Sequence, residues 1–198
     1  MSPHPSDIQL DALREVANIG CGHAVSALAR LVGGRTVNLS VPRAMLAATS
    51  EVAQLLGGGE TSVVAAKLGM EGQLRGVLLL VMPTEDSEAL EALLLRRRDA
   101  PLEDRESALS ETANIVASAC LSAIGTLTGW RLLPTVPALV RGTADAVVAG
   151  AMKEAEGNSR VVVLETRFSA VGAPAVSGQV LLLLERESSR ALLARLGV

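Results

Sequence analysis

The sequence contains one long segment twice, and this repeat restricts the possible folds more than any other feature. At a shift of 96 positions, residues 12–35 align with residues 108–131 without a gap. The identical pairs include Ala12 and Ala108, Leu13 and Leu109, Glu15 and Glu111, Ala17 and Ala113, Asn18 and Asn114, Ile19 and Ile115, Ser26 and Ser122, and Gly33 and Gly129. Agreement over such a length indicates an internal duplication.

The two halves follow the same order of predicted elements. Each has a long helix, a short strand ending in a proline, a second helical stretch, two apolar strands and a closing helix. We predict one α/β domain over residues 1–198, with half-repeats at about 7–98 and 103–198. It should have pseudo-twofold symmetry and long helices packed on a largely antiparallel sheet. In the first half, strands at about 61–68 and 73–81 should form a hairpin that turns at the sequence GMEG.

Each long helix carries a stripe of polar residues opposite an apolar face. At about 100° per residue, Asp11, Glu15 and Asn18 fall on one side of the first helix. Leu13, Ala17, Gly20, Ala24, Leu28 and Leu31 fall on the other side. The same geometry groups Ser107, Glu111 and Asn114 on the later helix, with Ser118 one turn further on.

A stripe of this kind has an ordinary explanation, because most Glu and Asn residues simply lie on a solvated helix face. The duplication favours a functional reading over that one. Asn is a poor helix former, and packing gives an exposed position no reason to retain it. Both halves nevertheless keep the Glu and the Asn, while Arg14 is replaced by Ser110 and Gly22 by Ser118.

Composition excludes several other functions. The net charge is −3 and the only aromatic residues are Trp130 and Phe168, so a basic, base-stacking nucleic-acid surface is not expected. The apolar runs are far shorter than the roughly 20 residues that span a bilayer, and the N-terminus lacks a secretory pattern. We therefore expect a cytoplasmic protein without membrane insertion. Cys21 and Cys120 are expected to be buried thiols, and no metal-ligand cluster is seen in the sequence.

The repeated stripe resembles the motif of the CheC, CheX and FliY family of bacterial chemotaxis phosphatases. That motif is an Asp or Ser, three residues, a Glu, two residues, an Asn and, about 22 residues later, a proline. Ser107, Glu111, Asn114 and Pro137 match it in full. Asp11, Glu15, Asn18 and Pro42 match it with one additional residue before the proline. Two motif copies in about 200 residues resemble the CheC type more than the shorter CheX or the longer FliY.

The resemblance implies hydrolysis of the aspartyl phosphate on a CheY-like response regulator. Asn18 and Asn114 would orient the attacking water, and Glu15 and Glu111 would pair with a lysine of the regulator. Asp11 and Ser107 would help to place the contact helix. The chain would need no cofactor or metal of its own, because Mg²⁺ is expected on the regulator. CheD, a receptor deamidase, is a further possible partner.

Two alternatives remain open at this point. The chain could be a non-catalytic adaptor that binds the phosphorylated CheY-like regulator or CheD, or a component of the flagellar switch. Retention of Asn in both halves favours catalysis, because binding alone would tolerate Asp, Gln or Ser. The additional residue before Pro42 gives a slight preference for the second site as the active one.

Overall fold

The computed structural model describes residues 5–156 and 160–198, and its elements repeat in the same order in both halves. The first half contains α1 (Asp7–Leu31), β1 (Val37–Leu39), β2 (Arg43–Ala47), α2 (Thr49–Leu55), β3 (Ser62–Gly72), β4 (Gly76–Pro83) and α3 (Thr84–Leu95). The second half contains α4 (Leu102–Thr128), β5 (Leu132–Pro134), β6 (Ala138–Thr143), α5 (Ala144–Glu156), β7 (Val161–Ala170), β8 (Val176–Leu184) and α6 (Arg186–Leu196). The predicted fold class is confirmed.

All eight strands belong to one antiparallel sheet in which the halves exchange strands. The order is β1-β7-β8-β4-β3-β5, with β2 also paired to β7 and β6 also paired to β3. The first two strands of each half therefore pair with the third strand of the other half. At the centre β4 pairs with β8, where Leu79 faces Leu181 and Leu80 faces Val180.

The predicted hairpin between β3 and β4 forms, but its turn was misplaced. Gly69–Gly72, the GMEG sequence, continues β3, because Met70, Glu71 and Gly72 pair with β5 of the other half. The chain turns at residues 73–75 instead. Leu74 is buried there, and the Arg75 N–H donates to Ser188 Oγ over 2.7 Å. Pairing between the halves thus extends the strand beyond the point that its own sequence suggests.

Strand alternation divides the core between the two faces of the sheet. One face packs on the long helices α1 and α4, through residues such as Leu68, Leu80 and Leu164. The opposite face packs on α2 and α5, through residues such as Leu79 and Leu183. The stripes of α1 and α4 point away from this doubly covered sheet, on helices whose other side is fixed in the core.

Helix α4 is the one helix among the described residues that is long and apolar enough to cross a membrane by length and composition. In its most apolar window, 56% of the residues are buried inside the protein. Helix α4 packs against α1 and the sheet. The apolar residues of α4 are thus explained by its packing in the core of the protein.

Candidate functional site

The first stripe lies on the wall of an open cleft. Asp11, Glu15 and Asn18 are exposed, whereas Leu13 and Ala17 on the same turns are fully buried. A capping box fixes the start of the helix, since Gln9 N–H donates to Ser6 Oγ over 3.3 Å and Ser6 N–H donates to Gln9 Oε1 over 3.0 Å. The helix that carries the carboxylate and the carboxamide thus has a capped N-terminus and a buried apolar side.

The cleft also brings in residues that are distant in sequence. Its volume is about 390 Å³. It is lined by Asp11, Arg14, Glu15, Asn18, Leu39, Ser40, Val41 and Pro42. The helical stripe and the motif proline thus share one cleft, although 23 residues separate Asn18 from Pro42 in the sequence.

Sequence reasoning missed four residues of this cleft: Arg14, Leu39, Ser40 and Val41. Arg14 forms an ion pair with Asp11, one turn earlier on α1. Its counterpart in the second half is Ser110, so a comparison of the two halves gave no reason to select it. The Asp11 carboxylate is therefore already paired within its own helix, whereas neither Glu15 nor Glu111 forms an ion pair with another described residue.

Pro42 lies in a β-bulge beside α1. Strand β1 ends with Leu39 opposite Phe168, and β2 begins with Arg43 opposite Glu165. Three residues, 40–42, therefore face only two residues of β7, which defines a bulge. Because proline has no backbone N–H, it can occupy this position without leaving an unpaired donor.

The second half forms the same bulge around Pro137. Pro134 lies opposite Met70 and Ala138 lies opposite Lys67, so residues 135–137 face only two residues of β3. Both motif prolines therefore have the same place in the fold, in a bulge of the edge strands that pair with the opposite half.

A side-chain hydroxyl holds each bulge in place. Ser40 N–H donates to Arg167 O over 2.9 Å, and Arg167 N–H donates to Ser40 Oγ over 3.0 Å. In the other half, Thr135 N–H donates to Gly69 O over 2.9 Å, and Gly69 N–H donates to Thr135 Oγ1 over 2.8 Å. The hydroxyl thus replaces a backbone carbonyl in the ladder, and the chain can turn outward without losing a hydrogen bond.

The second stripe is exposed but is not part of the cleft recorded beside α4. Ser107, Glu111 and Asn114 are exposed, and Pro137 is partly buried. The cleft beside α4 has a volume of about 410 Å³ and lies further along the helix, where Ser118, Ser122 and Thr126 face Leu133 and Pro134. In the first half, one cleft thus contains both the stripe and the motif proline, whereas the cleft beside α4 contains neither Glu111 nor Pro137.

The additional residue before Pro42 lies away from the first stripe. Between the glycine that follows each long helix and the next strand there are three residues after Gly33 and two after Gly129. The extra residue is thus accommodated at the far end of α1, about 20 Å from Asn18 along the helix. Both bulges have the same length, so the sequence offset gives no structural reason to favour the second site.

The two cysteines are buried together where α1 packs on α4. Cys21 and Cys120 are free thiols with almost no exposure. The hydrogen bond with Cys21 and the burial of the side chain raise the pKa of Cys120 well above its usual range. The thiol therefore remains protonated, which is the opposite of what a cysteine nucleophile needs.

No group of three or more His, Cys, Asp or Glu residues that could hold a metal ion occurs in the described ranges. The polar groups that the first cleft offers are an amide, two carboxylates, an arginine and one hydroxyl. Such groups can hold a water molecule by hydrogen bonds and contact a charged partner.

Known proteins resemble this chain in sequence and in fold. A model of the CheC-like family matches residues 8–46, which contain the first stripe and Pro42. The CheY-P phosphatase CheC of Bacillus subtilis (strain 168) is 35% identical over 165 residues, covering 80% of this chain and 78% of that protein. This chain belongs to the CheC-like family.

Solved structures place this CheC-like chain in a wider group with the same fold. FliY of Thermotoga maritima matches with a TM-score of 0.77 at 16% identity, over 98% of both chains. A chain from the CheX–CheY complex with BeF3 and Mg²⁺ from Borrelia burgdorferi matches with a TM-score of 0.54 at 15% identity, over 83% of this chain and 96% of that one. At such low identity the likeness concerns the fold alone.

Proposed function

We propose that this CheC-like chain is a phosphatase that hydrolyses the aspartyl phosphate of a CheY-like response regulator in chemotaxis. The observation that carries the proposal is the first cleft, where Glu15 and Asn18 meet on a helix fixed by the core. The Bacillus subtilis relative is a CheY-P phosphatase, and a protein with this fold forms a complex with CheY, BeF3 and Mg²⁺. The second stripe offers the same pair of side chains on α4.

In the proposed reaction a water molecule attacks the phosphorus in line with the acyl oxygen. The bond from phosphorus to the aspartate oxygen breaks, the carboxylate leaves with the bonding electrons, and the water becomes part of inorganic phosphate. Because the transition state is loose, the main requirements are to position the water and to neutralise the charge that spreads over the phosphoryl oxygens. A strong base on this chain is not required.

The carboxamide of Asn18 or Asn114 suits the positioning role. It has an oxygen that accepts a hydrogen bond from water and an NH₂ group that donates one. We propose that the carboxylate of Glu15 or Glu111 pairs with a lysine of the regulator and sets the register of the complex. Mg²⁺ bound to the regulator would neutralise charge on the phosphoryl group. This chain would then position the water and the regulator, and would supply no metal.

Asp11 and Ser107 have weaker support as partner contacts. Both are exposed on the stripe, but Asp11 is engaged by Arg14. Binding of CheD remains a prediction, as does the alternative that the chain binds the regulator without catalysis.

The amount of protein needed to speed the loss of phosphate from the regulator distinguishes a phosphatase from an adaptor. A radiolabelled phosphorylated regulator from the same organism should lose its label faster with substoichiometric protein, through many turnovers. An adaptor would leave the decay unchanged or slow it in proportion to the complex formed. Binding without acceleration would reject the phosphatase proposal and support the adaptor.

A further inference from the structure

Val41 and Val136 are the two most exposed large apolar residues within the described ranges, at 84% and 88%. Single exposed apolar side chains are common on protein surfaces, so exposure alone says little. These two valines, however, occupy the same position in both halves. Each directly precedes the motif proline, in the middle of a bulge.

The fold holds these valines outward. The residue before each valine, Ser40 or Thr135, is fixed by two hydrogen bonds to the opposite half, as described above. The residue after it is a proline, whose ring restricts the backbone. With both neighbours constrained, little backbone freedom has to be lost when a partner covers the valine.

Val41 lines the same cleft as Glu15 and Asn18. A partner that reaches the carboxamide must therefore approach the bulge as well. Protein interfaces commonly combine polar groups of exact geometry with apolar anchors that exclude water around them. The bulge supplies the apolar component that the helix stripe lacks, because the stripe contains only polar and charged side chains.

We propose that Val41 and Val136 are apolar contacts for the phosphorylated response regulator. Ser40 is the positioning residue that holds Val41 beside Glu15 and Asn18, and Thr135 holds Val136 in the equivalent bulge of the second half. This inference rests on the proposed function. The valines of the bulges contribute to the affinity for the regulator, and the asparagines orient the water.

The first experiment measures the affinity of the full chain for the regulator loaded with BeF3 and Mg²⁺. The double variant Val41→Ser/Val136→Ser should bind about tenfold more weakly, since burial of a valine is worth roughly that factor. Val41→Ile/Val136→Ile should restore wild-type affinity. Val171→Ser, at another exposed valine, is the matched control. Equal affinities for the serine double variant and this control would overturn the inference.

The second experiment separates the valines from the asparagines by kinetics. In an Asn114→Ala background, which leaves only the first site intact, Val41→Ser should raise KM about tenfold with little change in kcat. Ser40→Ala should raise KM by about 2- to 10-fold, as expected for one lost hydrogen bond, and Ser40→Thr should rescue it. The loss of kcat/KM caused by Val41→Ser or by Ser40→Ala should be larger in the Asn114→Ala background than in an Asn18→Ala background. Equal losses in both backgrounds would indicate general destabilisation and reject the positioning role.

The outcomes distinguish this inference from the proposed function. If the wild-type chain binds the regulator without accelerating decay, the phosphatase proposal fails and the affinity series still decides the role of the valines. If decay is accelerated but the valine variants behave as the control does, only the present inference fails. A wild-type chain that does not bind the loaded regulator would overturn both.

Discussion

A Cβ atom on Gly20 would lie 3.0 Å from Cys120 Sγ and 3.0 Å from the side chain of Ile124. At this point the two duplicated helices, α1 and α4, pack tightly against each other. The glycine lies on the buried side of α1, and the stripe of Glu15 and Asn18 lies on the other side. The close contact therefore fixes both stripe-bearing helices relative to each other.

Substitution of Gly20 tests this contact. Gly20→Val should lower the free energy of unfolding by about 1–3 kcal/mol, because the larger side chain overpacks the crossing. Chemical denaturation measures the change. Gly22→Ala is the matched control on the same helix, since a Cβ there meets no atom within 4 Å. It should be neutral or stabilise by up to about 1 kcal/mol. A loss at Gly22 as large as that at Gly20 would contradict close packing as the cause.

Glu91 anchors the start of α4 and provides a second test of stability. Its carboxylate is only 2% exposed. It accepts hydrogen bonds from Arg105 of α4, from Arg141 over 3.2 Å and from Ser87 over 3.2 Å. Arg105 lies two residues before Ser107, so this network joins α3, β6 and the beginning of the second stripe.

Glu91→Gln should lower the free energy of unfolding by about 1–3 kcal/mol, since it weakens charge-assisted hydrogen bonds in a buried position. We expect a value within this range, rather than above it, because both arginines reach solvent. Glu88→Gln is the control. Glu88 is 59% exposed at 3.9 Å from Arg105, so its removal should change stability by less than about 0.5 kcal/mol. Equal effects of Glu91→Gln and Glu88→Gln on thermal or chemical unfolding would contradict a stabilising role for the hydrogen bonds of Glu91.

The cysteines provide a chemical test of the helix crossing. Neither Cys21 nor Cys120 should react with a maleimide in the native protein at mildly alkaline pH, because both are buried. The raised pKa of Cys120 further lowers its thiolate fraction. Both should react after unfolding in guanidinium. Rapid, stoichiometric labelling of the native chain, followed by mass spectrometry, would show that the crossing opens.

The duplication made most of the fold predictable. Two equal halves with the same order of helices and strands led directly to a pseudo-twofold α/β arrangement. The stripes were also predictable, since helical periodicity alone places Glu15 with Asn18 and Glu111 with Asn114. Local pattern was sufficient because these features depend on residues that are close in sequence.

Features that depend on contacts between the halves were not predictable from local pattern. The exchange of β1 and β2 onto β7 requires a register that is set over more than 100 residues. The misplaced β3 turn has the same cause. Leu31 was expected on the buried face of α1 but is partly exposed. The bulges were not predicted, because the hydroxyl of Ser40 or Thr135, rather than a backbone carbonyl, completes the hydrogen-bond ladder at each of them.

The measurement that tests the central claim most directly is the decay of the labelled phosphorylated regulator with four proteins. They are the wild type, Asn18→Ala, Asn114→Ala and the double variant, each with its affinity for the regulator measured in parallel. We predict that each single variant retains activity from the other site. The double variant should lose acceleration by on the order of a hundredfold, as expected when a reacting water is misplaced, with affinity nearly unchanged. Acceleration that persists in the double variant would contradict the assignment of the asparagines as the residues that position water.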